Sequence, residues 1–132
     1  MIELTSKPID SQPVIDAVKG DSVAVFVGTV RNSTEGKRVL RLEYDAYPQM
    51  AIKTLKQIAD EASVRWPGVD IAVIHRYGTL EIGETAVVIA AGSASYESSF
   101  SACEYVIDRI KDIVPIWKKE VFEDGYSWVG HP

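Results

Sequence analysis

Lys111 and Lys118 lie seven residues apart on either side of Pro115, in a chain whose formal charge is −5. A lysine beside an apolar wall has its pKa lowered, and beside an anion it supplies a compact positive charge. A convergent pair of such amines suits a pocket that binds a phosphorylated substrate or a carboxyl-terminal tail and assists proton transfer. The plain alternative for Lys111 is a solvated lysine meeting the negative end of a helix dipole, worth about 0.3–1 kcal/mol. Lys118 and Lys119 are adjacent in Pro115-Ile116-Trp117-Lys118-Lys119-Glu120, which reads as a strand. Strand neighbours point to opposite faces, so at most one of the two readily shares a face with the tip of Lys111. Arg31 sits where an apolar run meets a polar loop, a position from which a planar guanidinium grips phosphate or carboxylate. Thr29 and Val30 immediately before it can offer backbone groups to the same ligand.

Other polar residues read more simply. His75, followed by Arg76, is a satisfied core or edge histidine near the end of a strand. Metal binding is disfavoured, because His131 is in the terminal tail and Cys103 is the single cysteine. Ser95 lies in a run of hydroxyl residues, Ser93–Ser101, without a nucleophile elbow around it, which reads as a loop and helix cap. Cys103 falls on an apolar stripe as a small buried hydrophobe. Asp10-Ser11-Gln12-Pro13 is a helix-start signal. No glycine-rich phosphate loop is present, since Gly28, Gly36, Gly78, Gly83 and Gly92 are scattered over separate strand ends and loops.

The elements that must position these groups follow from periodicity. Ser22–Val30 is a β-branched run, and Val39–Tyr47 alternates apolar and polar residues, so the two are expected as strands joined by a hairpin loop, Asn32-Ser33-Thr34-Glu35-Gly36-Lys37. Pro48 opens a helix in which Ala51, Leu55, Ile58 and Ala62 recur at helical spacing, and Trp66-Pro67-Gly68 closes it. Val69–Tyr77 and Thr85–Ala91 are the next strands, linked through Gly78–Glu84. A second helix is expected from about Ser98 to Ile113, with Phe100, Cys103, Ile107, Ile110 and Val114 on its apolar face. Trp117–Trp128 holds two short strands around Glu123-Asp124-Gly125. The order ββαββαββ predicts an α+β domain: a largely antiparallel sheet with two main helices covering one side.

A length of 132 residues predicts one domain over 1–132, able to bury a core without disulfides. The acidic balance, 14 Lys and Arg against 19 Asp and Glu, argues against nucleic-acid binding. A lone cysteine fits a reducing compartment. No apolar run reaches the length of a membrane span, and the N-terminus lacks a signal pattern, so the expectation is a cytoplasmic protein without membrane contact.

Taken in order, several separated motifs resemble the large (catalytic) subunit of molybdopterin synthase, the molybdenum-cofactor biosynthesis protein E family. They are Phe26-Val27-Gly28-Thr29-Val30-Arg31-Asn32, Tyr44-Asp45-Ala46-Tyr47-Pro48-Gln49-Met50-Ala51, Ile74-His75-Arg76-Tyr77-Gly78-Thr79-Leu80 with Gly83-Glu84, and Phe100-Ser101-Ala102-Cys103. Lys111, the segment Pro115–Glu120, and Gly125 with Trp128 complete the match over nearly the whole chain. The resemblance implies an α/β hammerhead-type fold and a homodimer of large subunits within a heterotetramer. Each large subunit would hold one ubiquitin-like small subunit, whose C-terminal Gly-Gly thiocarboxylate enters a pocket. There sulfur passes, in successive rounds, to cyclic pyranopterin monophosphate and forms the dithiolene of molybdopterin, with no cofactor or metal implied. Carried over by position, Lys111 and Lys118 match the catalytic lysines, Lys119 and Glu120 complete the substrate-contact segment, and Thr29, Val30 and Arg31 match the segment that contacts the pterin phosphate.

One departure stands out. The family pattern Ser-x-His-Arg is replaced here by Ser93-Ala94-Ser95-Tyr96, which takes an imidazole and a cation from substrate-binding positions. Losing one charge-assisted hydrogen bond would weaken substrate binding roughly ten- to a hundred-fold. The same departure is the sequence feature behind the alternative reading, a paralogue that binds the small subunit without converting the pterin.

Overall fold

The computed structural model describes residues 1–34 and 36–129. Glu35 of the expected hairpin loop and His131 of the tail lie outside the described residues. In chain order the elements are β1 (Ile2–Thr5), α1 (Ser11–Asp16), β2 (Ser22–Thr29), β3 (Ser33–Thr34), β4 (Lys37–Ala46), α2 (Pro48–Arg65), β5 (Asp70–Arg76), β6 (Gly78–Glu81), β7 (Thr85–Ser93), α3 (Tyr96–Ile113), β8 (Ile116–Phe122) and β9 (Gly125–Val129). They build two sheets. One has four strands in the order β1-β5-β7-β2; the other runs β3-β4-β8-β9, with β6 also pairing on β4.

Burial explains the layering. β7 is buried along almost its whole length, as a strand covered on both faces must be. Ile89 and Ala91 face α2 and α3, in a core with Leu55, Ile58 and Val106. Val88 and Ala90 face α1, in a smaller core with Val14 and Val18. The predicted stripe of α2 is buried as expected, Ala51, Leu55, Ile58 and Ala62 being 0–1% exposed. Pro48 occupies the first turn of α2, where its missing N–H costs nothing. Full burial of Leu55 or Ile58 contributes about 1.5–3 kcal/mol each. Asp10 caps α1 by accepting a hydrogen bond from the Gln12 N–H. No helix among the described residues is long and apolar enough to cross a membrane.

The mixed α+β architecture with antiparallel sheets is as expected, and four details differ. The order is βαβββαβββαββ, because β1, α1, β3 and β6 add to the simpler string; β1 pairs with β5 in parallel. β2 does not form a hairpin with β4: it pairs with β7, and the true hairpin is β3–β4. The helices cover both faces of the four-stranded sheet, since α1 lies opposite α2 and α3. Finally, α3 begins at Tyr96 rather than near Ser98, because the Ser95 side chain caps it by accepting from the Ser98 N–H. Its inward face carries Ser99, Ala102, Cys103, Val106 and Ile110, while Phe100 is 65% exposed. Small residues let α3 approach the sheet, and the buried Ser99 hydroxyl is satisfied by Ser93 and by the Ser22 carbonyl.

One close crossing admits no side chain. A Cβ on Gly92 would lie 2.3 Å from the Lys19 carbonyl oxygen. Gly92→Ala should therefore lower the unfolding free energy by roughly 2–3 kcal/mol through forced backbone displacement. Urea denaturation measures it, and a wild-type midpoint would show that the crossing yields freely.

Candidate active site

Strand β8 sorts the residues of the Trp117–Glu120 segment by parity. Lys118 pairs across to Tyr44 and Glu120 to Leu42, on the face that packs inward. Lys119 pairs across to Glu43 and Trp128 on the other face, where its ammonium lies 3.2 Å from the Glu43 carboxylate and 4.7 Å from the centre of the Tyr126 ring. Trp117, on the same outer side, meets Tyr47 edge to face at 5.1 Å. The sequence expectation grouped Lys118, Lys119 and Glu120 as one contact segment. The structure splits it, because the pleat sends Lys119 away from the other two.

Glu120 is 1% exposed and forms the centre of the inner cluster. Its Oε2 accepts a 2.6 Å hydrogen bond from the Thr34 hydroxyl and lies 3.7 Å from Nε of Arg31. Arg31 leaves β2 just after the chain crosses to the second sheet, and its side chain remains 59% exposed, so the fork of the guanidinium is open to a ligand. Thr29 beside it is exposed at the irregular end of β2. Val30 is different. Its N–H donates to the Glu84 carbonyl, its own carbonyl accepts from Gly83, and its side chain lies in a core with Val39, Leu42 and Leu80. Its backbone groups are thus already paired within the fold, not free for a ligand.

Lys111 enters from the last turn of α3, exposed, with Pro115 turning the chain directly into β8. Lys118 is half-buried, and burial pushes its ammonium below the ordinary lysine value. The Glu120 charge opposes that shift, and Arg31 and Lys111 add to it. Lys118 therefore feels one carboxylate and two further cations. An excess of positive charge invites an anion, and an amine with a lowered pKa exchanges protons more readily near neutral pH.

Behind Lys118 the wall is aromatic. Tyr44 stacks edge-on to His75 at 5.4 Å, and its phenol is pushed up to about 12, by burial first and then by Glu120. His75 is 7% exposed, its Nδ1 lies 2.7 Å from the Arg76 carbonyl, and burial lowers its pKa to about 4. It is the satisfied core histidine that the sequence suggested. Because its folded pKa lies below the unfolded value of about 6.5, the native state refuses a proton that the unfolded chain takes up. Stability should be full above about pH 6.5 and fall by about 3 kcal/mol as the pH drops toward 4. Denaturant titrations across that range, compared with a His75→Gln variant that lacks the slope, check it; parallel slopes would count against this assignment.

Ser95 and Tyr96 do not join the cluster within one chain. They stand at the opposite end of α3 from Lys111, about 22 Å away at a rise of roughly 1.5 Å per residue. The Ser95 hydroxyl is occupied as the helix cap, and Tyr96 is exposed, edge-on to Phe100. Sequence reasoning missed the centrality of Glu120 and the roles of Thr34 and Tyr44. Alternation along β4 and β8 held the only signal, putting Tyr44 and Lys118 on one side of their strands, and it required the register. Among the described residues no group of three or more His, Cys, Asp or Glu side chains is placed to hold a metal ion.

Comparison with known proteins gives one answer. Residues 4–113 match the family described as MoaE protein. The molybdopterin synthase catalytic subunit of Bacillus subtilis (strain 168) is 48% identical over 131 residues, covering 97% of this chain and 83% of that protein. A crystal structure of molybdopterin synthase from Staphylococcus aureus superposes with a TM-score of 0.94 at 44% identity, covering 98% of this chain and 97% of that one. The same fold, at 17% identity and a TM-score of 0.77, occurs in a complex of subunits 1 and 2 of molybdopterin-converting factor from Helicobacter pylori 26695, covering 99% and 92% of the two chains. With a family match over residues 4–113 and alignment along nearly the whole chain, this chain belongs to the MoaE family of molybdopterin synthase catalytic subunits.

Proposed function

We propose that this chain is the sulfur-transferring subunit of a molybdopterin synthase. It takes sulfur from the thiocarboxylated C-terminal Gly-Gly of a small ubiquitin-like subunit and delivers it to cyclic pyranopterin monophosphate. The observation that carries the proposal is the gathering of Lys111, Lys118 and Arg31 around the buried Glu120. Arg31 and Lys118 neutralise the pterin phosphate, and Thr29 lines the approach. Lys111, the most exposed of the cations contributed by α3 and β8, meets the thiocarboxylate carbonyl and the pterin carbon under attack, where an ammonium polarises the one or exchanges a proton with the other. Residues 1–132 act as one large-subunit domain, working in the cytoplasm and needing no metal or organic cofactor.

The test is reconstitution. The purified protein is mixed with its thiocarboxylated small subunit and cyclic pyranopterin monophosphate, and molybdopterin is read as its fluorescent oxidised derivative. Product above the control without this protein is expected. A sized complex that makes none would replace the proposal with the alternative, a binding-only paralogue. That reading has its own support: the Ser95 hydroxyl is engaged as a cap and Tyr96 carries no charge, so neither repeats the family's His-Arg pair.

A homodimer of large subunits, within a heterotetramer, is part of the proposal. β2 is an edge strand with no charged residue, and Val23, Val25 and Val27 on one face are 39–44% exposed. Such an edge, without protecting lysines, pairs readily with its own copy in an isologous interface. Val25→Lys should convert the dimer to a monomer in sedimentation, whereas an unchanged mass would place the interface elsewhere.

A further inference from the structure

Arg31 is reached by a very short hairpin, and one hydroxyl ties that hairpin to the buried carboxylate. Among the described residues β3 pairs with β4 at two positions, Ser33 with Arg38 and Thr34 with Lys37, and the Val39 N–H donates to the Asn32 carbonyl. Its remaining ties to the β8–β9 hairpin lie on the surface. Lys37 meets Asp124 at 3.4 Å, Arg38 meets Glu123 at 4.0 Å, and all four side chains are more than half exposed. Exposed pairs of that kind contribute little. The 2.6 Å bond from the Thr34 hydroxyl to Glu120 is different in kind, because its acceptor is a carboxylate sealed from water.

From this geometry we infer that Thr34 is a positioning residue for phosphate recognition: by holding Oε2 of Glu120 it fixes the carboxylate against which Arg31 is aimed. The inference rests on the reading of Arg31 as the phosphate ligand. Both Thr34 and Arg31 converge on the same oxygen, Thr34 at hydrogen-bond distance and Arg31 at 3.7 Å, too far for a direct bond. With the hydroxyl present, Glu120 has a donor of its own, and the guanidinium stays within its field yet free to swing its fork toward a ligand. Without it, the buried oxygen lacks a donor and draws Arg31 inward to replace it. The cation is then withdrawn from solvent and from the phosphate. Thr34 itself touches no substrate.

Thr34→Val keeps the shape and removes the hydroxyl, and Thr34→Ser restores it. In the reconstituted synthase, Thr34→Val should raise KM for cyclic pyranopterin monophosphate about tenfold with kcat nearly unchanged, as loss of a bond to a charged group predicts when it acts through binding. Thr34→Ser should return KM to the wild-type value. A second readout needs no substrate: the Nε–H resonance of Arg31 in a nitrogen-edited NMR spectrum should shift in Thr34→Val, as Arg31 closes on Glu120, and revert in Thr34→Ser. An unmoved resonance overturns the inference, and so does a fall in kcat with unchanged KM, which would mark the hydroxyl as merely structural. A shifted resonance in a protein whose wild type makes no molybdopterin would leave the positioning intact and remove the proposed function instead.

Discussion

Lys111→Ala should reduce molybdopterin formation by about 10²–10⁴-fold while leaving the fold and the complex with the small subunit intact. The size of the effect follows from position. Lys111 is exposed at the end of α3 and contributes nothing to the core, so its removal costs little stability. Its charge nevertheless helps to lower the pKa of half-buried Lys118, so the two amines are within electrostatic reach of each other. A lysine that only met the helix dipole would cost about 0.3–1 kcal/mol of stability and no activity. The two cases separate cleanly when kcat, KM and melting temperature are measured on one preparation. An active Lys111→Ala enzyme would remove the lysine from the chemistry. Lys111→Arg keeps the charge but not the compact, deprotonatable amine, so it should stay well below wild type if proton exchange is the role.

The second large effect concerns stability. Arg76 is 5% exposed at the end of β5, and its guanidinium donates to the Glu84 carboxylate, to the Ser6 carbonyl at 3.0 Å and to the Thr79 carbonyl at 3.3 Å. One side chain thereby joins the segment after β1, the strand β6 and the turn that leads into β7. Among the described residues its Nε has no partner, so the group is held by its two terminal nitrogens. Arg76→Ala should lower the unfolding free energy by roughly 3–5 kcal/mol, since it removes the buried partner of the Glu84 carboxylate and leaves a cavity behind. Arg76→Met, which refills the volume without the charge, should recover part of that loss. Chemical denaturation decides, and a loss below about 1 kcal/mol for the alanine variant would mean that water enters and satisfies the abandoned groups.

The uneven legibility of the chain has physical causes. α2 could be read residue by residue, because a helix packed on one face writes its contacts at a fixed local spacing. On α3, Cys103, Ile107, Ile110 and Val114 meet the core as predicted and only Phe100 departs, because a close approach to the sheet needs Ser99 and Ala102, whose smallness no hydrophobicity pattern rewards. β6 was hidden because Gly78–Glu81 carries turn residues, and only its pairing with β4 makes it a strand. β2 is legible as a strand but its neighbour β7 is not, since register and partner are properties of the whole sheet. At the site, Lys111, Lys118 and Arg31 could be named from sequence, and the opposition of Lys118 and Lys119 followed from alternation. The burial of Glu120 and its bond to Thr34, 86 positions away, could not, because nothing local distinguishes a sealed glutamate from a solvated one.

The alternation along β8 has a further consequence for how this sequence can change. Ile116–Phe122 is a single line of text that specifies two surfaces at once, odd positions for the outer aromatic side and even positions for the side of Lys118 and Glu120. Removing or adding one residue between Pro115 and Lys118 would exchange the two lysines, sending Glu120 outward and Lys119 inward, with every residue type preserved. Adding two would merely slide the strand by one repeat. The linker between α3 and the site is thus constrained less in what it contains than in whether its length is even or odd, a form of information that composition and identity scores do not register.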